Sequence, residues 1–192
     1  MKKLFFWPVV FCGILAMLAM STEKAQAELG VISGIGGNFT LTGTNGKPVS
    51  LSDFNGKVVL IFFGYTTCPD VCPTAMSTLE AVQSELGSKA DQTQVILISV
   101  DPERDTQEKL DKYVGYFGED NIGLRGTPEE IAKVAAQFRM SYKKVETDSA
   151  VGYLVDHMDF IYLIDAQGRT RSLHRSTTPV ERIVSDVQSL LN

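Results

Sequence analysis

The chain has 192 residues, 44% of them hydrophobic and 21% charged, with a formal net charge of −5. That length supports one ordinary domain around a single core and is short for two. The chain is acidic and has no block of lysine and arginine, so it offers little to a polyphosphate backbone, which argues against nucleic-acid binding.

The N-terminus has the pattern of a leader. Lys2 and Lys3 precede an uncharged apolar run from Leu4 to Met20, and Ala25-Gln26-Ala27 matches a small-residue cleavage site. Residues 1–27 are therefore expected to be a signal peptide or an N-terminal membrane anchor spanning residues 4–20, and residues 28–192 the folded domain. Bulky Phe11 ahead of Cys12 argues against lipid attachment there. Removal of the leader leaves two cysteines, Cys68 and Cys72, in an oxidising compartment. There they form a structural disulfide, a redox pair or a metal site.

Residues 28–37 are glycine-rich and lack periodicity. Around Asn45-Gly46 the alternation of "NFTLTGTNGKPVSLSDF" predicts a hairpin. "KVVLIFFGY" is a continuous β-branched and aromatic run, as expected of a strand buried on both faces. "PTAMSTLEAVQSEL" has helical spacing, with Pro73 in the first turn and Gly87 as a stop. "QVILISV" predicts a second buried strand, and "TQEKLDKYVGYF" a second helix. Thr127-Pro128-Glu129-Glu130 and Thr178-Pro179-Val180-Glu181 each read as a capping box with proline inside, opening two more helices. Between them come a polar excursion over 139–153, an apolar strand "MDFIYLID", a turn at Ala166-Gln167-Gly168 and a strand "RTRSLHR".

The order is hairpin, β, α, β, α, α, β, β, α. Alternating units of this kind give an α/β domain, a central mixed sheet flanked by helices, in the thioredoxin-like arrangement with an N-terminal β-hairpin. Ligands of such sheets gather at the carboxyl ends of the central strands. Cys68 and Cys72 follow "KVVLIFF" directly and so sit at that end.

Thiols four residues apart, the second at or near a helix start, can lie on one side of a turn. A helix N-terminus also favours the thiolate, which serves both as nucleophile and as metal ligand. Dithiol oxidoreductases of this fold have two residues between their cysteines, whereas three stand between Cys68 and Cys72. The wider bite suits a soft metal, and two thiolates with one imidazole would suit Cu(I) or zinc. Of the two histidines, His157 opens "HMDFIYLID" where a loop meets a strand, while His174 reads as a surface residue. Met76, Met140 and Met158 read as core filling. A thioredoxin-type enzyme would carry a proline just before the strand facing its cysteines, and Val155-Asp156-His157-Met158 stands there instead. A peroxiredoxin-type loop fits only with stretched spacing.

"GYTTCPDVCPTAM", "ISVDPERDT" and "VDHMDFIYLIDAQG" resemble three signature segments of the Sco/SenC family of copper proteins, in the right order across residues 36–191. The resemblance implies a thioredoxin-like fold and one copper ion, Cu(I) or Cu(II), on Cys68, Cys72 and His157. It implies an extracytoplasmic, periplasmic protein, monomeric and often membrane-tethered, that helps assemble the copper centre of cytochrome c oxidase. Its partner would be the copper-acceptor subunit or another periplasmic copper or thiol protein, served by copper delivery or by reduction of the acceptor's cysteines. A thiol–disulfide oxidoreductase using Cys68 and Cys72 is the alternative. Asp70, Asp156 and Asp159 are expected to make the rim negative, with Asp156 a candidate for orienting the His157 ring. Thr74-Ala75-Met76 departs from the acidic or amide residue often found after the second cysteine in the family.

Overall fold

Val58 to Gly64 are buried without exception, and in the computed structural model they form the central strand, β3 (Val58–Gly64). The structure describes residues 29–43, 46–148 and 152–191. The expected leader, Cys12 and the turn residues Thr44 and Asn45 lie outside them. On one side β3 pairs in parallel with β4 (Thr93–Ser99), from Val58 opposite Thr93 to Gly64 opposite Ser99. On the other it pairs antiparallel with β8 (Ile161–Ile164). β5 (Ile122–Leu124) lies parallel beside β4, and β9 (Thr170–His174) antiparallel beside β8, giving the sheet order β5-β4-β3-β8-β9. A parallel pair needs a crossover, and α1 (Val71–Leu86) supplies it between β3 and β4. The mixed sheet with helices is the α/β thioredoxin-like arrangement expected from the sequence.

The N-terminal hairpin is present as β1 (Thr40–Thr42) against β2 (Pro48–Ser50). α1 buries Cys72, Ala75, Met76, Leu79, Val82 and Leu86, the three-and-four spacing of one helical face, and packs on α4 (Val180–Leu190). The helix ends where Gly87 takes φ 55°, a conformation that favours glycine. α2 (Gln107–Tyr116) lies against β5, and α3 (Pro128–Gln137) follows. No helix among the described residues is long and apolar enough to cross a membrane.

Three sequence expectations are corrected here. Thr127 caps α3 with the expected reciprocal box to Glu130, but Thr178 does not cap α4. Its hydroxyl accepts from the Arg175 backbone N–H at 2.9 Å, and α4 begins only after Pro179. Within the polar excursion over 139–153 lies a strand, β6 (Tyr142–Glu146), which pairs with β7 (Tyr153–His157), starting at the excursion's end, in a two-stranded antiparallel ribbon separate from the main sheet. With Lys143 and Lys144 both exposed, β6 shows no alternation that would mark it as a strand. His174 is buried rather than on the surface, with Nε2 3.3 Å from the carboxylate of Asp186 on the buried face of α4.

Candidate metal centre

At the carboxyl end of β3 the chain turns through Tyr65, Thr66 and Thr67 to Cys68, whose N–H donates to the Tyr65 carbonyl. Cys68 is half-buried, while Cys72, in the first turn of α1, is wholly buried and heads that helix's apolar stripe. His157 is the last residue of β7, not the first of the following strand, since β8 starts only at Ile161. The ribbon thus carries the imidazole back to the cysteines. Nε2 of His157 lies 3.4 Å from Sγ of Cys72. One donor atom from each of Cys68, Cys72 and His157 lies within 4.8 Å of the others.

The imidazole is held from three sides. Its Nδ1 lies 3.2 Å from the Met158 carbonyl. A carbonyl only accepts, so a proton on Nδ1 completes this contact, and Nε2 is the nitrogen that faces the sulfurs. The rings of Phe62 and Tyr65 meet it edge-on, with centroids 5.7 and 5.9 Å away. The Tyr65 hydroxyl also accepts from the Val155 backbone N–H at 3.2 Å, pinning β7 to the end of β3.

The two thiols are electrostatically unlike. The hydrogen bond from the Cys72 thiol pulls Cys68 down to about 3, against its burial, with His157 and the backbone N–H groups of Asp70 and Cys72 adding to the effect. Cys72 moves the other way, because it is buried, donates its S–H to Cys68 and faces the Cys68 charge. These shifts favour a half-exposed thiolate at Cys68 beside a buried thiol at Cys72. A soft cation would replace that buried proton, and two sulfurs with one imidazole nitrogen are the donor set such ions take.

The three carboxylates near the cluster differ in their surroundings. Asp159 accepts from the Ser176 N–H at 3.1 Å and its hydroxyl at 2.9 Å, a local structural role. Asp70 and Asp156 are exposed, and the partner of the His157 ring is the Met158 carbonyl rather than Asp156. Met76 and Met140 are core residues as expected. Met158 is not: it is 36% exposed, its Sδ accepting from the Ser141 N–H, and it lines a shallow hollow of about 290 Å³ with His157 and Asp156.

Two residues were missed from sequence. A Cβ on Gly64 would come within 2.9 Å of Cys72 Sγ and 2.9 Å of Phe62 Cε1, so only glycine lets the buried sulfur sit beside β3. Asp105, fully buried, accepts from the Thr66 N–H and hydroxyl and from the Ser99 hydroxyl. It fixes the loop ahead of Cys68. Asp105 lies in the segment "ISVDPERDT", which pointed to the family but not to this residue's hold on the cysteine loop.

A thioredoxin-like sheet presenting a thiol–thiol–imidazole cluster at its carboxyl edge defines a class of small thiol and metal-handling proteins. Within it this chain belongs to the SCO1/SenC family, whose model matches residues 30–192. It is 36% identical over 136 residues to a SCO2-like protein of Rickettsia felis, across 70% of this chain and 66% of that one. The chain thus spans just under two thirds of that relative's length. Among solved structures it is similar to Bradyrhizobium japonicum ScoI with copper bound, at 44% identity and a TM-score of 0.75, covering 82% of this chain and 99% of that one. It is also similar to BsSco, a member of the Sco family of cytochrome c oxidase assembly proteins in which a disulfide switch was identified. That match has 26% identity and a TM-score of 0.69, covering 86% and 98% of the two chains.

Proposed function

We propose that this protein is an exported copper metallochaperone serving the copper centre of cytochrome c oxidase, with Cys68, Cys72 and His157 holding one copper ion. The observation that carries this reading is the convergence of two sulfurs and an imidazole nitrogen within 4.8 Å. The copper-bound Bradyrhizobium relative and the oxidase-assembly relative support it. With both thiols deprotonated and the imidazole neutral, a Cu(I) site carries one net negative charge, which retains the cation. Cys68 is open enough for an acceptor's ligands to enter and take the ion by exchange. The leader at residues 1–27 directs the domain, as a monomer, to the periplasmic side, free or tethered through residues 4–20.

A second reading, thiol–disulfide exchange, is favoured by the thiolate–thiol pairing. The Cys68 thiolate attacks one sulfur of an acceptor's disulfide and releases the other as a thiolate. Cys72 then loses its proton and attacks Cys68, so the acceptor leaves as a dithiol and Cys68–Cys72 is left oxidised. Two electrons pass to the acceptor. The histidine standing where such enzymes place a proline weighs against this as the main activity, although one dithiol can serve both.

Anaerobic Cu(I) titration of the reduced protein, with X-ray absorption to count ligands, separates the two. One copper per chain on two sulfurs and one nitrogen is expected, with His157→Ala losing the nitrogen and binding at least tenfold more weakly (roughly, as for loss of a ligand's support). A stoichiometry well below one, or unchanged binding in His157→Ala, leaves the oxidoreductase reading.

A further inference from the structure

The segment Asp101-Pro102-Glu103-Arg104-Asp105 gives no donor to the cluster, yet it grips both chains that do. At one end Asp105 holds Thr66, two residues before Cys68, by the backbone N–H at 3.1 Å and the hydroxyl at 2.6 Å. At the other end, the Arg104 guanidinium lies over the Tyr153 ring, 3.6 Å from its centroid, and donates to the Tyr153 carbonyl at 2.9 Å. The Tyr153 hydroxyl donates to the Asp101 carboxylate at 2.8 Å, and the same carboxylate pairs with Arg104. Tyr153 is the first residue of β7 and His157 its last.

That link matters because β7 has a ladder partner only in β6 among the described residues. Among the described residues no backbone ladder ties the ribbon to the five-stranded sheet, so side-chain contacts hold β7 against the domain and set where His157 lies. Tyr65 supplies one near its carboxyl end, where Phe62 and Cys72 also meet the His157 ring, and the 101–105 segment supplies those near its start. Ligand geometry is sensitive to such supports, since a rigid strand transmits a shift at one end to the other.

We propose that residues 101–105 form a bracket between the cysteine loop and the histidine ribbon, and that Arg104 and Tyr153 are positioning residues for His157. The inference rests on the copper reading above. Both side chains act through β7 and neither touches the ion.

The test is a cycle. Arg104→Gln and Tyr153→Phe are each made alone and combined with His157→Ala, and Cu(I) affinity is measured anaerobically by competition with a chromophoric chelator. Tyr153→Phe keeps the ring under Arg104 and removes only the hydroxyl, so it remains informative if Arg104→Gln fails to fold. Each single variant is expected to bind Cu(I) about tenfold more weakly, with X-ray absorption showing less nitrogen and unchanged sulfur. In the His157→Ala background neither should weaken binding further. Unchanged affinity in the folded single variants overturns the bracket, as does an equal loss with and without His157. If His157→Ala itself binds like the parent protein, the copper reading fails and the bracket with it, whereas a weakened His157→Ala beside unaffected bracket variants sinks the bracket alone.

Discussion

At Cys68 a half-exposed sulfur accepts a hydrogen bond from its neighbour, and at Cys72 a buried sulfur donates one. Limiting iodoacetamide on the reduced protein should therefore alkylate Cys68 first, because the thiolate is the nucleophile and it faces solvent. Peptide mass mapping reads the order, and equal labelling of Cys72 would contradict the assignment. Gly64 matters for the same pair. Gly64→Ala drives a methyl against Cys72 Sγ and Phe62, and such overpacking costs about 1–3 kcal/mol. Urea denaturation should show that loss, together with weaker Cu(I) binding, since the sulfur must move. Neither residue's burden is visible in its identity: a cysteine's environment and a glycine's neighbour across a strand are both set by chain segments distant in sequence.

Among the elements, those with strong periodicity were legible and those without it were not. The buried run at Val58–Gly64, the capping box at Thr127 and the apolar stripe of α1 each carry their own local cause. The stripe can be followed back to Cys72, three residues before Ala75, so the burial of that cysteine was available from spacing alone. The β6–β7 ribbon was not. Lys143, Lys144 and Glu146 face solvent and only Val155 is fully buried, so the pattern resembles a loop. Tyr65 is a pin for that ribbon. Tyr65→Phe leaves the Val155 N–H without its acceptor in a buried setting and should cost about 1–3 kcal/mol. Amide hydrogen exchange should show faster exchange in β7 with little change in β3 or β4; uniform acceleration through the sheet would mean that the hydroxyl supports the fold rather than the ribbon.

For the whole molecule, the burial of His174 between β9 and α4, beside Asp186, makes stability depend on pH. Burial lowers the His174 pKa below 6.5, more than the nearby Asp186 charge raises it. The folded state thus binds a proton less readily than the unfolded chain, and this part of the stability is lost as pH falls through about 6.5. Urea midpoints measured at pH 7.5 and 5.5 should fall at the lower pH, and His174→Gln should flatten the difference; an unchanged slope in that variant would assign the effect elsewhere. Asp165 acts in a separate window. Burial works against its charge, but hydrogen bonds from Arg169 and Arg171 outweigh it and hold its pKa below 3.8, so that contribution disappears only in stronger acid.

The sequence by itself determined the order of the main elements and the place of Cys68 and Cys72 at the end of a central strand. Apolar periodicity, capping residues and proline act over a few neighbouring residues and are written locally. Joining His157 to those cysteines came from a resemblance between segments, not from any spacing, because 85 residues separate it from Cys72. Only the tertiary structure decided how the histidine reaches them, on a side ribbon pinned by Tyr65 and by the 101–105 segment. It also decided that His174 is buried, that Met158 is exposed, and that a carbonyl rather than Asp156 orients the imidazole. Each of these depends on which distant segments lie side by side, and contacts between distant segments leave no period in the chain.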